Sequence, residues 1–246
     1  VRRRHERRRE EGTSRVMFAS PISLALSALL AASPSGEDPT CRDRSSVPSI
    51  GSAGAVGPAA AGSVDPELRA LYRSGRSYGD FLGGATRRTE LWHGNTERAE
   101  EIDAVLVERA RAVGGTWHFL AVAVDSCSDS VSTIPYLARL VALVPGLEMR
   151  VVDSTAGRAI MESHRTPDGR AATPTVLLLD ADHDEAGCFI ERPPELQTWI
   201  LENSEWSGQQ VYERKMAWYD EDGGNGTVKA FVEMLEAAAR GETVCR

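Results

Sequence analysis

From Trp117 onward, the hydrophobic positions alternate between continuous apolar runs and runs with helical spacing. The segments "WHFLAVAVD" and "LEMRVVDS" are near-continuous apolar runs, typical of strands buried on both faces of a sheet. Between them, "DSVSTIPYLARLVALVPG" repeats its aliphatic residues at helical spacing. Because a helix joins the two strands, we expect the strands to be parallel.

The second half of the chain continues this alternation. "GRAIMESHRT" predicts a short helix, "TPTVLLLD" a third strand and "GCFIERP" a fourth strand that can form a hairpin with the third. After Pro194 the pattern is helical, in two pieces divided at "DEDGGNG", and the last piece runs from about Thr227 to Arg240. The order βαβαββα predicts an α/β fold with a four-stranded mixed sheet flanked by helices.

A helical extension precedes this unit. "DPELRALYRSG" has an N-cap Asp65, a proline at the first helical position and a closing glycine, and a second helix is predicted from about Thr96 to Val113. Before Asp65, the composition turns to Ser, Gly, Ala and Pro, which predicts a flexible linker over residues 33–63. We therefore divide the chain into a tail and linker, residues 1–64, and one folded domain, residues 65–246.

Charge and length limit the function classes. The chain has 246 residues, 41% hydrophobic content and a net charge of −8. Seven Arg and three Glu fall in the first sixteen residues, which leaves −12 on the rest. An acidic body argues against nucleic acid as a partner. Residues 18–33 are apolar behind positive charge, as in a secretory signal, but are too short to predict a stable membrane span. We favour the cytoplasm, with export as the alternative if this segment acts as a signal.

The cysteines and histidines show no metal or disulfide pattern. Their spacing contains no Cys-x-x-Cys and no metal-ligand motif, so we expect no metal, no cofactor and no disulfide framework. Cys41 and Cys245 lie in the linker and at the tail, without a positioned role. The cysteines stand at positions 41, 127, 188 and 245, and the histidines at positions 5, 93, 118, 164 and 183.

Three residues in order point to a known family. Cys127 follows the first strand and opens the long helix, Pro135 lies eight residues on, and Thr173-Pro174 begins the third strand. In this respect the chain resembles the thioredoxin-like superfamily. The resemblance implies an active-site cysteine, a helix-kinking proline and a cis-proline that faces the cysteine.

More narrowly, residues 65–240 resemble a bacterial group of single-domain, single-cysteine thioredoxin-like proteins. Their motif usually reads Trp-Cys-Gly-Asp-Ser, and an Arg-Pro follows the fourth strand, which here is Arg192-Pro193. This chain departs from the motif at Ser126, in place of Trp, and at Ser128, in place of Gly. The aromatic residue that stands beside the thiol in that group is therefore absent here.

The chemistry expected at Cys127 follows from its place at a helix N-terminus. Unpaired N–H groups and the helix dipole favour the thiolate over a thiol whose ordinary pKa is about 8.5. Ser130 stands where a dithiol oxidoreductase has its second cysteine, and its hydroxyl can donate to the thiolate but cannot resolve a mixed disulfide. Asp129 would oppose the thiolate if it faced the sulfur, or can instead point to solvent or cap the helix, and Asp125 is a second nearby acid.

Thr173, Pro174 and Arg192 are the candidate substrate-binding residues. A cis bond before Pro174 would present backbone groups to an extended peptide. Arg192 would approach the thiolate or hold a substrate carboxylate, or instead pair at the surface with Glu191 or Glu195.

Cys188 is predicted to lie opposite about Leu179 in the hairpin. That position is roughly 16 Å from the Pro174 end of the strand, which is too far for Cys188 to pair with Cys127.

Two functions remain open on the sequence. The first is a thiol–disulfide redox protein that uses Cys127 for monothiol exchange or reduction, with a protein or low-molecular-weight thiol or disulfide as its partner. The second is a binding or scaffold module that keeps the fold without catalysis. Whether the protein is an enzyme is left open.

Overall fold

The computed structural model describes residues 65–246. The predicted basic tail, signal-like segment and linker, together with Cys41, lie outside the described residues. Among residues 65–246, no helix has the length and apolar character needed to cross a bilayer.

The centre of the domain is a mixed sheet in the order β2-β1-β3-β4-β5. β1 pairs with β2 in parallel, β3 is antiparallel to both β1 and β4, and β5 runs parallel to β4. The strands are β1 (Trp117–Val122), β2 (Leu147–Val152), β3 (Thr175–Leu179), β4 (Glu185–Ile190) and β5 (Val244–Cys245).

Helices cover both faces of this sheet. The main core lies between the sheet and α3, α4, α5 and α9, and a smaller core lies under α1 and α6 on the other face. A third cluster joins α7 and α8. The helices are α1 (Pro66–Ser74), α2 (Tyr78–Gly83), α3 (Thr89–Arg98), α4 (Ala104–Val113), α5 (Ser128–Leu143), α6 (Arg158–Ser163), α7 (Pro194–Glu202), α8 (Gly208–Asp222) and α9 (Asn225–Ala239), with a 3-10 turn at Ala99–Glu101.

The predicted fold class is confirmed, with differences in detail. The helical extension is present, as is the α/β unit with a parallel β1–β2 pair and a β3–β4 hairpin. The prediction of four strands was incomplete, because Val244–Cys245 adds a fifth. The predicted helix from Thr96 to Val113 is divided at the 3-10 turn, and the region after Pro194 holds three helices rather than two.

The hairpin register also differs from the prediction. Cys188 lies opposite Leu177 rather than Leu179, because β4 begins at Glu185 and the ladder shifts register between Leu178 and Leu179. Cys188 is therefore closer to the Pro174 end than the sequence indicated.

Two consecutive glycines join α8 to α9. Gly223 and Gly224 both have positive φ, +61° and +84°. A Cβ at Gly224 would lie 2.1 Å from Cδ1 of Tyr136, a buried residue of α5, whereas nothing lies within 4 Å of a Cβ at Gly223. The close approach of this turn to α5 therefore requires glycine at position 224.

We expect Gly224→Ala to destabilise the protein more than Gly223→Ala. Because both positions have positive φ, alanine at either one lowers the free energy of unfolding by roughly 1–2 kcal/mol. Only Gly224→Ala adds the clash with Tyr136, and overpacking of this kind costs about 1–3 kcal/mol more. Urea unfolding of both variants measures the difference, and equal losses would contradict a tight contact between this turn and α5.

Candidate functional site

Cys127 occupies the N-cap of α5, as the sequence predicts. Its sulfur accepts a hydrogen bond from the Ser130 backbone N–H at 3.4 Å, and the side chain is fully buried. Pro135 lies inside the helix, and α5 continues through it to Leu143. The sulfur therefore sits where unpaired helix N–H groups point, which favours negative charge.

The loop before β3 faces this sulfur. The Thr173–Pro174 peptide bond is cis. The carbonyl oxygen of Thr173 lies 3.1 Å from the Cys127 sulfur. Because Thr173 lies two residues before the start of β3, the sheet holds this carbonyl next to the start of α5. The structure thus brings together Cys127, Thr173 and Pro174.

Asp129 is an acid of the site that contacts side chains from α8 and from the end of β4. It is fully buried and lies two residues beyond Cys127. Lys215 donates to its Oδ2 at 2.7 Å and Tyr219 donates to its Oδ1 at 2.9 Å, both from α8. Arg192 approaches Oδ2 at 3.3 Å from the end of β4. The alternative that Asp129 points to solvent is therefore wrong.

The pKa of Asp129 reflects these partners. Burial alone would raise the pKa, but the charges of Arg192 and Lys215 and the hydrogen bonds from Lys215 and Tyr219 outweigh it and hold the pKa below its ordinary value. The pKa of Tyr219 is raised, by burial first and then by the Asp129 charge. Asp129 is therefore ionised in this cluster, and Tyr219 is a neutral hydrogen-bond donor.

Arg192 is buried rather than exposed. Only 1% of the residue is accessible, so its interpretation as a surface arginine is wrong. Its guanidinium pairs with Asp129 and with Glu191, which was one of the predicted alternatives. Glu191 in turn accepts two hydrogen bonds from Arg170, at 2.9 Å and 3.1 Å. These contacts join the end of β4 to the start of α5.

Ser130 contacts the sulfur through its backbone. Its Oγ accepts a long hydrogen bond, 3.5 Å, from the Val124 N–H, while its own N–H donates to the Cys127 sulfur.

Asp125, the second nearby acid, accepts hydrogen bonds from the Thr86 and Arg87 backbone N–H groups at 2.8 Å and 3.1 Å. The carboxylate of Asp125 thus anchors the loop between α2 and α3.

Sequence reasoning missed Lys215 and Tyr219. Lys215 is fully buried and also donates to the Ser128 hydroxyl at 2.8 Å. Tyr219, four residues further along α8, donates to the same Asp129 carboxylate. The chain has two lysines, at positions 215 and 229, among 28 basic residues, so the rarity of lysine was the available signal.

The structure also corrects the prediction for the cysteines. Cys188 and Cys245 form a disulfide between β4 and β5, so Cys245 has a structural partner, whereas the sequence analysis predicted no positioned role for it. The strand that carries Cys245 is too short to be recognised from a hydrophobic pattern. Cys127 is disulfide-bonded as well, so in this state its sulfur carries no proton.

Comparison with known proteins places the chain in a family. The model of a family described as thioredoxin matches residues 75–209. No match was found among curated proteins.

Two solved structures share the fold. An HIV epitope-scaffold is 18% identical, with a TM-score of 0.56, over 69% of this chain and 97% of its own. A protein of unknown function from Pseudomonas aeruginosa is 22% identical, with a TM-score of 0.52, over 68% of this chain and 96% of its own. At these identities the two structures bear on the fold alone.

We expect Lys215→Met to lower the free energy of unfolding by about 3–5 kcal/mol, because it leaves the buried Asp129 charge without one of its cations. Methionine keeps the long apolar stem, so the change removes mainly the ammonium group. Urea unfolding followed by circular dichroism measures the loss.

The matched control is Lys229→Met, at the other lysine. Lys229 is about half exposed and pairs with Glu195 at 3.4 Å, so its replacement should change stability by less than about 0.5 kcal/mol. Similar losses in the two variants would show that the buried ion cluster does not stabilise the fold.

Proposed function

The chain belongs to the thioredoxin family, and on that premise we propose that it is a thiol–disulfide redox protein that acts through Cys127. The observation that carries the proposal is the position of the Cys127 sulfur. It receives the Ser130 N–H at the start of α5 and lies 3.1 Å from the Thr173 carbonyl, next to cis-Pro174.

The electrostatics of the neighbouring acids support this proposal. Asp129 is ionised, but its charge is offset by Lys215 and Arg192. Asp125 is engaged with backbone N–H groups. Neither carboxylate is left as an uncompensated charge beside the sulfur, so the helix N-terminus remains the dominant influence on a Cys127 thiolate.

The proposed cycle is a monothiol exchange and begins once Cys127 is reduced. The Cys127 thiolate attacks one sulfur of an external disulfide, that S–S bond breaks, and the departing thiolate takes a proton from solvent. A second external thiol then attacks the mixed disulfide as its thiolate and releases Cys127. Ser130 has no sulfur, so the resolving thiol comes from outside the Cys127–Ser130 segment.

Thr173, Pro174 and Arg192 take different parts in this proposal. The backbone of Thr173, before the cis bond, is the group that would dock an extended substrate. Arg192 would act as a positioning residue through Asp129 rather than as a substrate ligand, because its guanidinium is buried and paired.

The second candidate is a thioredoxin-fold binding module without catalysis. The observation that favours it is Ser130, which stands where a dithiol oxidoreductase has its second cysteine and cannot resolve a mixed disulfide. The two candidates differ in the reactivity of the reduced thiol.

We expect the reduced Cys127 thiol to be alkylated by iodoacetamide with an apparent pKa below about 8.5, the ordinary value of a thiol, because the helix N-terminus stabilises the thiolate. Reduced protein in a metal-free buffer is alkylated across a pH series, and each modified peptide is quantified by mass spectrometry. Cys245, an exposed cysteine on a strand, is the internal reference.

The Cys127→Ser variant serves as the chemical control. It should lose the low-pKa reaction and the mixed disulfide that glutathione disulfide forms with the parent protein, while Cys245 still reacts. A Cys127 thiol that titrates at or above about 8.5, reacts no faster than Cys245 and forms no mixed disulfide would overturn the redox proposal. The binding module would then be the remaining candidate.

A further inference from the structure

A second group of sulfur and nitrogen atoms lies away from Cys127, at the β4–β5 edge of the sheet. Cys188 of β4 and Cys245 of β5 are paired in register and bonded to each other. His164, which follows α6, offers an imidazole nitrogen, and the three donor atoms lie within 4.8 Å of one another. This cluster plays no part in the proposed Cys127 chemistry.

We propose that reduction of the Cys188–Cys245 disulfide creates a zinc-type metal site from the two thiolates and the His164 imidazole. Thiolate and imidazole are the ligands that Zn²⁺ prefers. Around a tetrahedral zinc ion, bonds of about 2.0–2.3 Å place neighbouring donor atoms about 3.3–3.8 Å apart. Small side-chain adjustments of the present cluster reach that spacing once the S–S bond is broken.

The orientation of His164 fits a metal ligand. Its Nδ1 lies 3.0 Å from the Ile160 carbonyl oxygen, and its Nε2 lies 2.8 Å from Oε1 of Glu185. A metal-binding histidine usually donates one ring N–H to such a carbonyl and binds the ion through the other nitrogen. Glu185 stands beside that nitrogen, where its carboxylate can complete a four-coordinate site.

Access to the cluster is through Cys245. Cys188 is fully buried, whereas Cys245 is exposed at the edge strand. A reductant can therefore attack the Cys245 sulfur first, and an ion can enter from the same side.

The cluster also lies at a distance from the cis bond. Cys188 is opposite Leu177, and Leu177 is three residues beyond Pro174, or about 10 Å along β3. The site is thus separate from Cys127.

The redox step balances with an external dithiol as reductant. The dithiol supplies two electrons and two protons and becomes a disulfide, while the Cys188–Cys245 bond breaks to give two thiols. Metal binding then displaces both thiol protons, so the disulfide and the metal exclude each other. An external disulfide reverses the change: it accepts two electrons and two protons and becomes two thiols, while the two thiolates re-form the Cys188–Cys245 bond and the ion is released.

Cobalt titration of the full chain tests this proposal. The protein is reduced, freed of reductant under anaerobic conditions and titrated with Co²⁺, whose thiolate charge-transfer and tetrahedral ligand-field bands report the ligands directly. We expect one Co²⁺ per reduced chain, displaced by Zn²⁺, and no such bands from the oxidised chain. Cys127→Ser should bind as the parent protein does, which separates this outcome from the fate of the Cys127 proposal.

Variants identify the ligands. His164→Gln should weaken metal binding at least tenfold, whereas His93→Gln, at an exposed histidine of α3, should leave it unchanged. Cys245→Ser should abolish the thiolate bands, and circular dichroism checks that it folds. Absence of the bands in the reduced parent, equal binding by the two histidine variants, or equal binding by the oxidised chain would each overturn the proposal.

Discussion

The buried charge of Asp129 is the interaction on which the site depends. A carboxylate removed from water is unfavourable by several kcal/mol unless cations and donors surround it. Here Lys215 and Tyr219 from α8 and Arg192 from the end of β4 converge on it. The start of α5, the last long strand and a C-terminal helix are therefore held in one arrangement by one acid, and Cys127 is positioned two residues before it.

This constraint changes how the Cys-x-Asp-Ser segment is understood. From the sequence alone, the Asp129 carboxylate would be expected to repel a nearby thiolate. In the fold, the charge of Asp129 is offset by Lys215 and Arg192, which contact it directly. The two residues that differ from the Trp-Cys-Gly-Asp-Ser motif, Ser126 and Ser128, both make hydrogen bonds in the structure. The Ser128 hydroxyl accepts from Lys215 at 2.8 Å, and the Ser126 carbonyl accepts from Arg88 Nε at 2.6 Å. Serine at position 128 thus adds a contact to the lysine that neutralises Asp129.

The sequence predicted those features that have a local signature. β1, α5 and β3 follow from apolar runs and helical spacing, and Cys127 and Pro174 follow from their order along the chain. Lys215 gave no comparable signal, because its partner lies 86 residues away in the sequence and α8 has an ordinary polar pattern. Arg192 was recognised, but its burial depends on how β4 ends against α5. The two-residue β5 is too short for periodicity, so the Cys188–Cys245 pair was not predictable either.

The two sulfur sites differ in what surrounds them, and that difference underlies the two roles proposed for them. Cys127 lies at a helix N-terminus, where the Ser130 backbone N–H points at its sulfur and would stabilise a thiolate once Cys127 is reduced. Cys188 and Cys245 lie on paired strands without a helix dipole, but with each other and an imidazole as neighbours. A lone stabilised thiolate is suited to exchange with an external sulfur, whereas two thiolates beside an imidazole are suited to hold a cation. In the two proposed roles, exchange with an external sulfur takes place at the N-terminus of α5, and reversible disulfide formation or metal binding takes place at the β4–β5 edge of the sheet.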